Sequence, residues 1–99
     1  MDLMDEVTYT DWVLDRHPGA TLTEAVLGIV SEAGEVAQVK RKHMAALDEQ
    51  ARADMALELG DVLHYLVLAA DRLDLSMSDI MHLNIVKLEM RDKGAVHRG

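Results

Sequence analysis

Glu58-Leu59-Gly60-Asp61-Val62-Leu63-His64-Tyr65-Leu66-Val67-Leu68-Ala69-Ala70 is the stretch that decides the fold. Its second part, residues 62–70, is apolar nearly all round. A helix of that character is surrounded by protein. In a chain of 99 residues, surrounding it calls for a second subunit. Its first part carries two acids three residues apart, Glu58 and Asp61, at the edge of the same apolar run.

Outward from this stretch the chain divides into helices. The third helix, which holds it, runs from about residue 48 to residue 73, with Asp48 as a candidate cap. Residues 46–50 read as the short connection before it. Upstream, Thr21-Leu22-Thr23-Glu24 is a capping-box signature, in which the Thr and Glu side chains satisfy backbone N–H groups reciprocally. Apolar residues then recur at helical spacing from Leu22 to Val39, which predicts a second helix of more than five turns. Lys40-Arg41-Lys42-His43 closes it, where cations suit a helix C-terminus. Before the only proline, Pro18, residues 3–15 can form a first helix with Val7, Trp12 and Val13 as its apolar positions. Downstream, Ser76-Met77-Ser78-Asp79 repeats the capping pattern, and a fourth helix runs to about Asp92 with Gly94 ending it. Only Val7-Thr8-Tyr9-Thr10 favours a strand, and it is too short and isolated to build a sheet. The expectation is an all-α, four-helix, single domain over residues 1–99.

Composition narrows the class. The apolar fraction of 49% is too high for a disordered acidic tail. With no cysteine, disulfide scaffolds and thiolate sites are excluded. No apolar run reaches the ~18–20 residues of a membrane span, and the acidic N-terminus is unlike a signal peptide. A cytoplasmic protein is expected. The net charge of −8 argues against nucleic-acid polymers and anionic membranes. An anionic substrate remains open where a cation mediates.

Two acidic pairs carry the candidate chemistry: Glu32-x-x-Glu35 on the second helix and Glu58-x-x-Asp61 on the third. Residues three apart on a helix are roughly 300° and ~4.5 Å apart, so each pair faces one way. Ile29, Ala33 and Val36 flank the first pair; Leu57, Val62 and Leu66 flank the second. The carboxylates therefore border the apolar stripe. Positions four residues on hold Val36, Val39, Val62 and Tyr65, so no cation within the helix partners any of the four. Four such acids together would resist ionisation, and the physical remedy is a hard divalent cation, Mg²⁺ or Mn²⁺. The competing reading is four solvated surface acids.

Gly28-Ile29-Val30-Ser31-Glu32-Ala33-Gly34-Glu35-Val36, followed by the Glu58 to Tyr65 stretch, resembles the MazG-like family of all-α nucleoside triphosphate pyrophosphohydrolases. The family pattern is E-x-x-E, a spacer of one to three dozen residues, then E-x-x-D; here 22 residues separate Glu35 from Glu58. The resemblance covers about residues 12–91, including Asn84-Ile85-Val86-Lys87-Leu88, which is similar to the family's N-x-x-K-L. It implies a four-helix bundle completed by oligomerisation, as a homodimer or homotetramer. It also implies a Mg²⁺-dependent enzyme that cleaves a (deoxy)nucleoside triphosphate between the α and β phosphates, in keeping with nucleotide-pool house-cleaning. Carried over, Glu32, Glu35, Glu58 and Asp61 would be the metal ligands. Many members have a glutamate where this chain has Ser31, which leaves open the number of metals and the general base.

Hydrolysis of a phosphoanhydride needs charge neutralisation, an activated water and in-line positioning. Glu32 or Glu35 is the candidate base. Asn84, Lys87 and Arg91 share one stripe of the fourth helix, which suits phosphate oxygens or is simply solvated. Lys42, on the Glu35 face, has two readings: a phosphate contact or a charge complementing the helix dipole. The resemblance places Tyr65 at the nucleotide and gives Trp12 a base-stacking role; a packing role for each is the other reading. His64 and His82 lack companions at ligand spacing. Two alternatives stay beside the pyrophosphohydrolase: the same site acting on an alarmone or phosphoribosyl-nucleotide, and a non-catalytic helical oligomerisation module.

Overall fold

Each helix begins where a side chain can accept the free N–H groups of its first turn. The computed structural model describes residues 3–42 and 48–94. Asp5 accepts from the Thr8 N–H at 2.7 Å and starts α1, Glu6–Arg16. Thr21 and Glu24 cap reciprocally, at 3.1 and 2.9 Å, and start α2, Leu22–Lys42. Asp48 accepts from the Ala51 N–H at 2.8 Å and starts α3, Glu49–Arg72. Ser76 and Asp79 form the expected capping box of α4, Met77–Asp92.

The four helices and three of their caps agree with the sequence reading. The first helix starts later than residue 3, because Asp5 takes the cap. The β-favouring residues 7–10 lie within it, since a strand with no partner satisfies none of its backbone. His43 and residues 46–47 of the expected 46–50 connection lie outside the described residues, and residues 49–50 already belong to α3, because Asp48 takes its cap. Gly94 adopts φ +75 after α4, as a C-terminal glycine should. The end of α3 uses a non-glycine version of the same device. Asp74 sits at φ 59, while the Leu75 and Asp74 N–H groups reach Ala70 O and Asp71 O, both at 2.9 Å.

Packing is uneven. Helices α2 and α3 lie against each other as an antiparallel pair, α1 rests on α3, and α4 touches α3 only lightly. The buried cluster of Val13, Ala25, Val67 and Leu68 gathers where α1, the start of α2 and the end of α3 meet. Arg72 locks this end. Its Nε donates to Ala20 O, and Nη2 donates to His17 O and Pro18 O at 3.3 and 3.4 Å. The turn containing the only proline is thereby tied to the last residue of α3.

Beyond this cluster burial is sparse, with Ala51 in the first turn of α3 the fully buried residue at the far end of the helix. No residue of α4 is buried, and Leu57 and Val30 are 72% and 65% exposed. Leu63 and Leu66, in the run expected to be enclosed, keep 40% and 39% of their surface. The chain on its own leaves apolar surface uncovered well beyond scattered single residues.

One contact sets how α2 and α3 approach. The Tyr65 ring lies directly on the backbone of Gly28, and a Cβ at Gly28 would overlap the ring carbons Cδ1, Cε1 and Cγ. Glycine is used here for close approach. Ordinarily Gly→Ala inside a helix gains roughly 0.5–1 kcal/mol. Here the overlap with a packed ring should reverse the sign, at a cost of about 1–3 kcal/mol. Gly28→Ala is expected to lower the urea midpoint in the wild-type background and to raise it in Tyr65→Ala. A stabilising effect in both backgrounds would show that the ring does not hold this position.

Candidate metal centre

The Gly28–Tyr65 contact fixes the register of the site. Glu32 lies one turn beyond Gly28 on α2, and Asp61 lies one turn before Tyr65 on α3. In an antiparallel pair these two therefore face each other, with Glu58 one turn further along α3. Glu32, Glu58 and Asp61 each bring a carboxylate oxygen within 4.8 Å of the other two. Glu32 and Glu58 are half-buried, and Asp61 is exposed. Among the described residues no basic side chain forms an ion pair with any of them. Partial burial, then the charges of Asp61, Glu35, Glu32 and Asp54, hold the Glu58 carboxyl above its ordinary pKa. The donor set is all oxygen, anionic and convergent, which suits a hard divalent cation.

Glu35 stands outside this triad. It is exposed and lines a groove of about 590 Å³ between α2 and α3, together with Glu58, Lys42, Arg41 and Asp54. Lys42 therefore lies on the acidic side of the molecule, as its spacing predicts. Arg41, whose Nη2 donates to Gln38 Oε1 at 2.7 Å, and Asp54 are additions that sequence reasoning missed. Asp54 had a signal, being four residues before Glu58 on one helix face.

A second groove, of about 450 Å³, borders the triad on its other side. Glu32, Gly60 and Asp61 form its acidic wall, and Tyr9, Trp12, Arg16, His17, His64 and Tyr65 form the rest. The rings touch in series: Tyr9 and Trp12 stack at 6.2 Å, and His64 meets Trp12, His17 and Tyr65 edge-on at 6.3, 4.9 and 5.4 Å. Arg16 lies over the Trp12 ring, with Cζ 5.0 Å from its centroid. Trp12 is 53% exposed, so it borders the groove and does not fill the core. Tyr65 combines both of its readings, with its ring packed on Gly28 and also lining the groove. Partial burial, then His17 and Arg16, push the His64 pKa down, and the imidazole is neutral at pH 7.

Arg16, His17 and His64 were not singled out as site residues from the sequence. The first two flank the proline and read as a break, and only the folding of that turn against α3 brings them here. The fourth helix does not join. Asn84, Lys87 and Arg91 are exposed, and both grooves beside the carboxylates are lined by α1, its C-terminal turn, α2 and α3.

Comparison with known proteins shows the family. The family model for the MazG nucleotide pyrophosphohydrolase domain matches residues 20–96, and the chain belongs to that family. It is 35% identical over 80 residues to the Gene 37 protein of Mycobacterium phage L5, an alignment covering 76% of this chain and 70% of that protein. No solved structure matches it.

The raised Glu58 pKa has a measurable consequence without metal. The folded protein holds that proton more tightly than the unfolded chain does, so stability falls as pH rises from the usual carboxylate range through the raised pKa. In chelator-containing buffer, Glu58→Gln should melt above the wild type at pH 7, and the gap should close towards pH 4. A variant that melts below the wild type at pH 7 would contradict the crowding of charge at this position.

Proposed function

We propose that this chain, as a single domain over residues 1–99, is a Mg²⁺-dependent nucleoside triphosphate pyrophosphohydrolase. Water adds to the α-phosphorus, the bond from that phosphorus to the α–β bridging oxygen breaks, and a nucleoside monophosphate and pyrophosphate leave. The observation that carries the reading is the triad of Glu32, Glu58 and Asp61 lying between two grooves of different chemistry. One is flanked by Lys42 and Arg41 and suits phosphates. The other is walled by aromatic rings and suits a base.

Glu32, Glu58 and Asp61 hold the cation, which Mn²⁺ can replace. When bound, the cation neutralises phosphate charge and makes water more acidic. Glu35 borders the same groove as Glu58 without belonging to the tight triad, and it is the better of the two candidate bases. Its carboxylate takes the proton from the attacking water. Trp12 and Tyr65 contact the base side of the substrate, and Lys42 the phosphate side. Asn84, Lys87 and Arg91 line neither groove, so a phosphate contact by them would have to come from a second subunit. The uncovered Leu57, Leu63 and Leu66 support a homodimer or homotetramer.

The direct test is pyrophosphate release from each of the four dNTPs in the presence of Mg²⁺. At least one should be hydrolysed, and Asp61→Asn should reduce kcat by about 10²-fold or more while leaving the fold intact by circular dichroism. Release of inorganic phosphate alone, or no product from any nucleotide, would refute the reading.

A further inference from the structure

Glycine inside a helix is unfavourable and calls for a local reason. Gly28 has one in the Tyr65 ring, whereas Gly34 in α2 and Gly60 in the middle of α3 have none among the described residues, and of these two it is Gly60 that lines the aromatic groove. A Cβ there would meet nothing within 4 Å, and its backbone φ is not positive. Gly60 is exposed, directly precedes Asp61 and lines the aromatic groove. The bare backbone of α3 at Gly60 therefore forms part of that groove's lining, beside the carboxylate triad.

From this we infer that Gly60 is a specificity-determining position, where the base or sugar of a bound nucleotide lies flat against the α3 backbone. The inference rests on the proposed nucleotide chemistry and adds a residue that touches substrate without touching metal. Three features support it. The groove's volume of about 450 Å³ is in the range of small-molecule sites. Trp12 and His64, edge-on to each other, both line the groove with Gly60, and such rings offer faces and edges on which a planar heterocycle can stack. A methyl group at position 60 would meet no described residue within 4 Å. The glycine thus lowers helix stability and leaves room for a ligand.

Gly60→Ala separates these two effects. The variant should melt roughly 2–6 °C higher than the wild type without ligand, since it gains helix propensity and meets no clash. Its KM for the dNTP that the wild type hydrolyses fastest should rise about tenfold or more, with kcat little changed. Trp12 is the only tryptophan and borders the groove, so its fluorescence reports occupancy independently of turnover. Titration with deoxynucleoside monophosphates should change it saturably in the wild type, with a midpoint shifted upward by a similar factor in Gly60→Ala. A variant that melts higher but binds and turns over as the wild type does would overturn the inference and leave the proposed reaction standing. A lower melting temperature would overturn it too, because packing would then explain the glycine. A wild type that neither hydrolyses dNTPs nor responds to monophosphates removes the proposed reaction and this inference together.

Discussion

The contact between the Tyr65 ring and the bare backbone of Gly28 is the constraint on which the rest of the site depends. It fixes the depth at which α2 and α3 meet and the register between them. Helical periodicity then does the remainder. One turn along α2 gives Glu32, and one and two turns back along α3 give Asp61 and Glu58, so three carboxylates converge from two helices. Slipping either helix by one residue would rotate its acids by about 100° and disperse them. The same ring also borders the aromatic groove, so the residue that sets the register is itself part of the site.

The molecule is arranged as a gradient along the α2–α3 pair. At one end lies the buried cluster of Val13, Ala25, Val67 and Leu68, locked by Arg72 to the proline turn. In the middle lie the carboxylates, where burial is partial and like charges raise the Glu58 pKa. Convergent acids cost stability, and a small core supplies little to offset them. A metal ion bound by those acids would reverse the sign of that term. Among the described residues no helix is long and apolar enough to cross a membrane, so the uncovered leucines of α3 are not explained by a lipid span.

Much of the fold was legible because its signals are local. Thr21 with Glu24, Asp48, and Ser76 with Asp79 each cap a helix in the way their spacing dictates, and Gly94 ends one. The acidic pairs were legible because they border an apolar stripe without cations four residues on. What sequence could not supply was register. Spacing places Glu32 with Glu35 and Glu58 with Asp61, but it does not show that Glu35 falls outside the tight group, because that depends on Gly28 meeting Tyr65. Nor does it show Arg16 and His17 beside the acids, since the fold of the proline turn against Arg72 brings them there. The exposed stripe of Asn84, Lys87 and Arg91 reads correctly as a stripe, yet its distance from the grooves follows from the light packing of α4.

The central claim is that carboxylates brought together across α2 and α3 form a cation site. Calorimetric titration of Mg²⁺ and Mn²⁺ into the metal-free protein tests it without any assumption about substrate. Saturable binding at a defined stoichiometry, lost in Asp61→Asn and weakening as pH falls into the carboxylate range, is the predicted result. Heats no greater than those of dilution for both ions, or binding that survives Asp61→Asn unchanged, would contradict it.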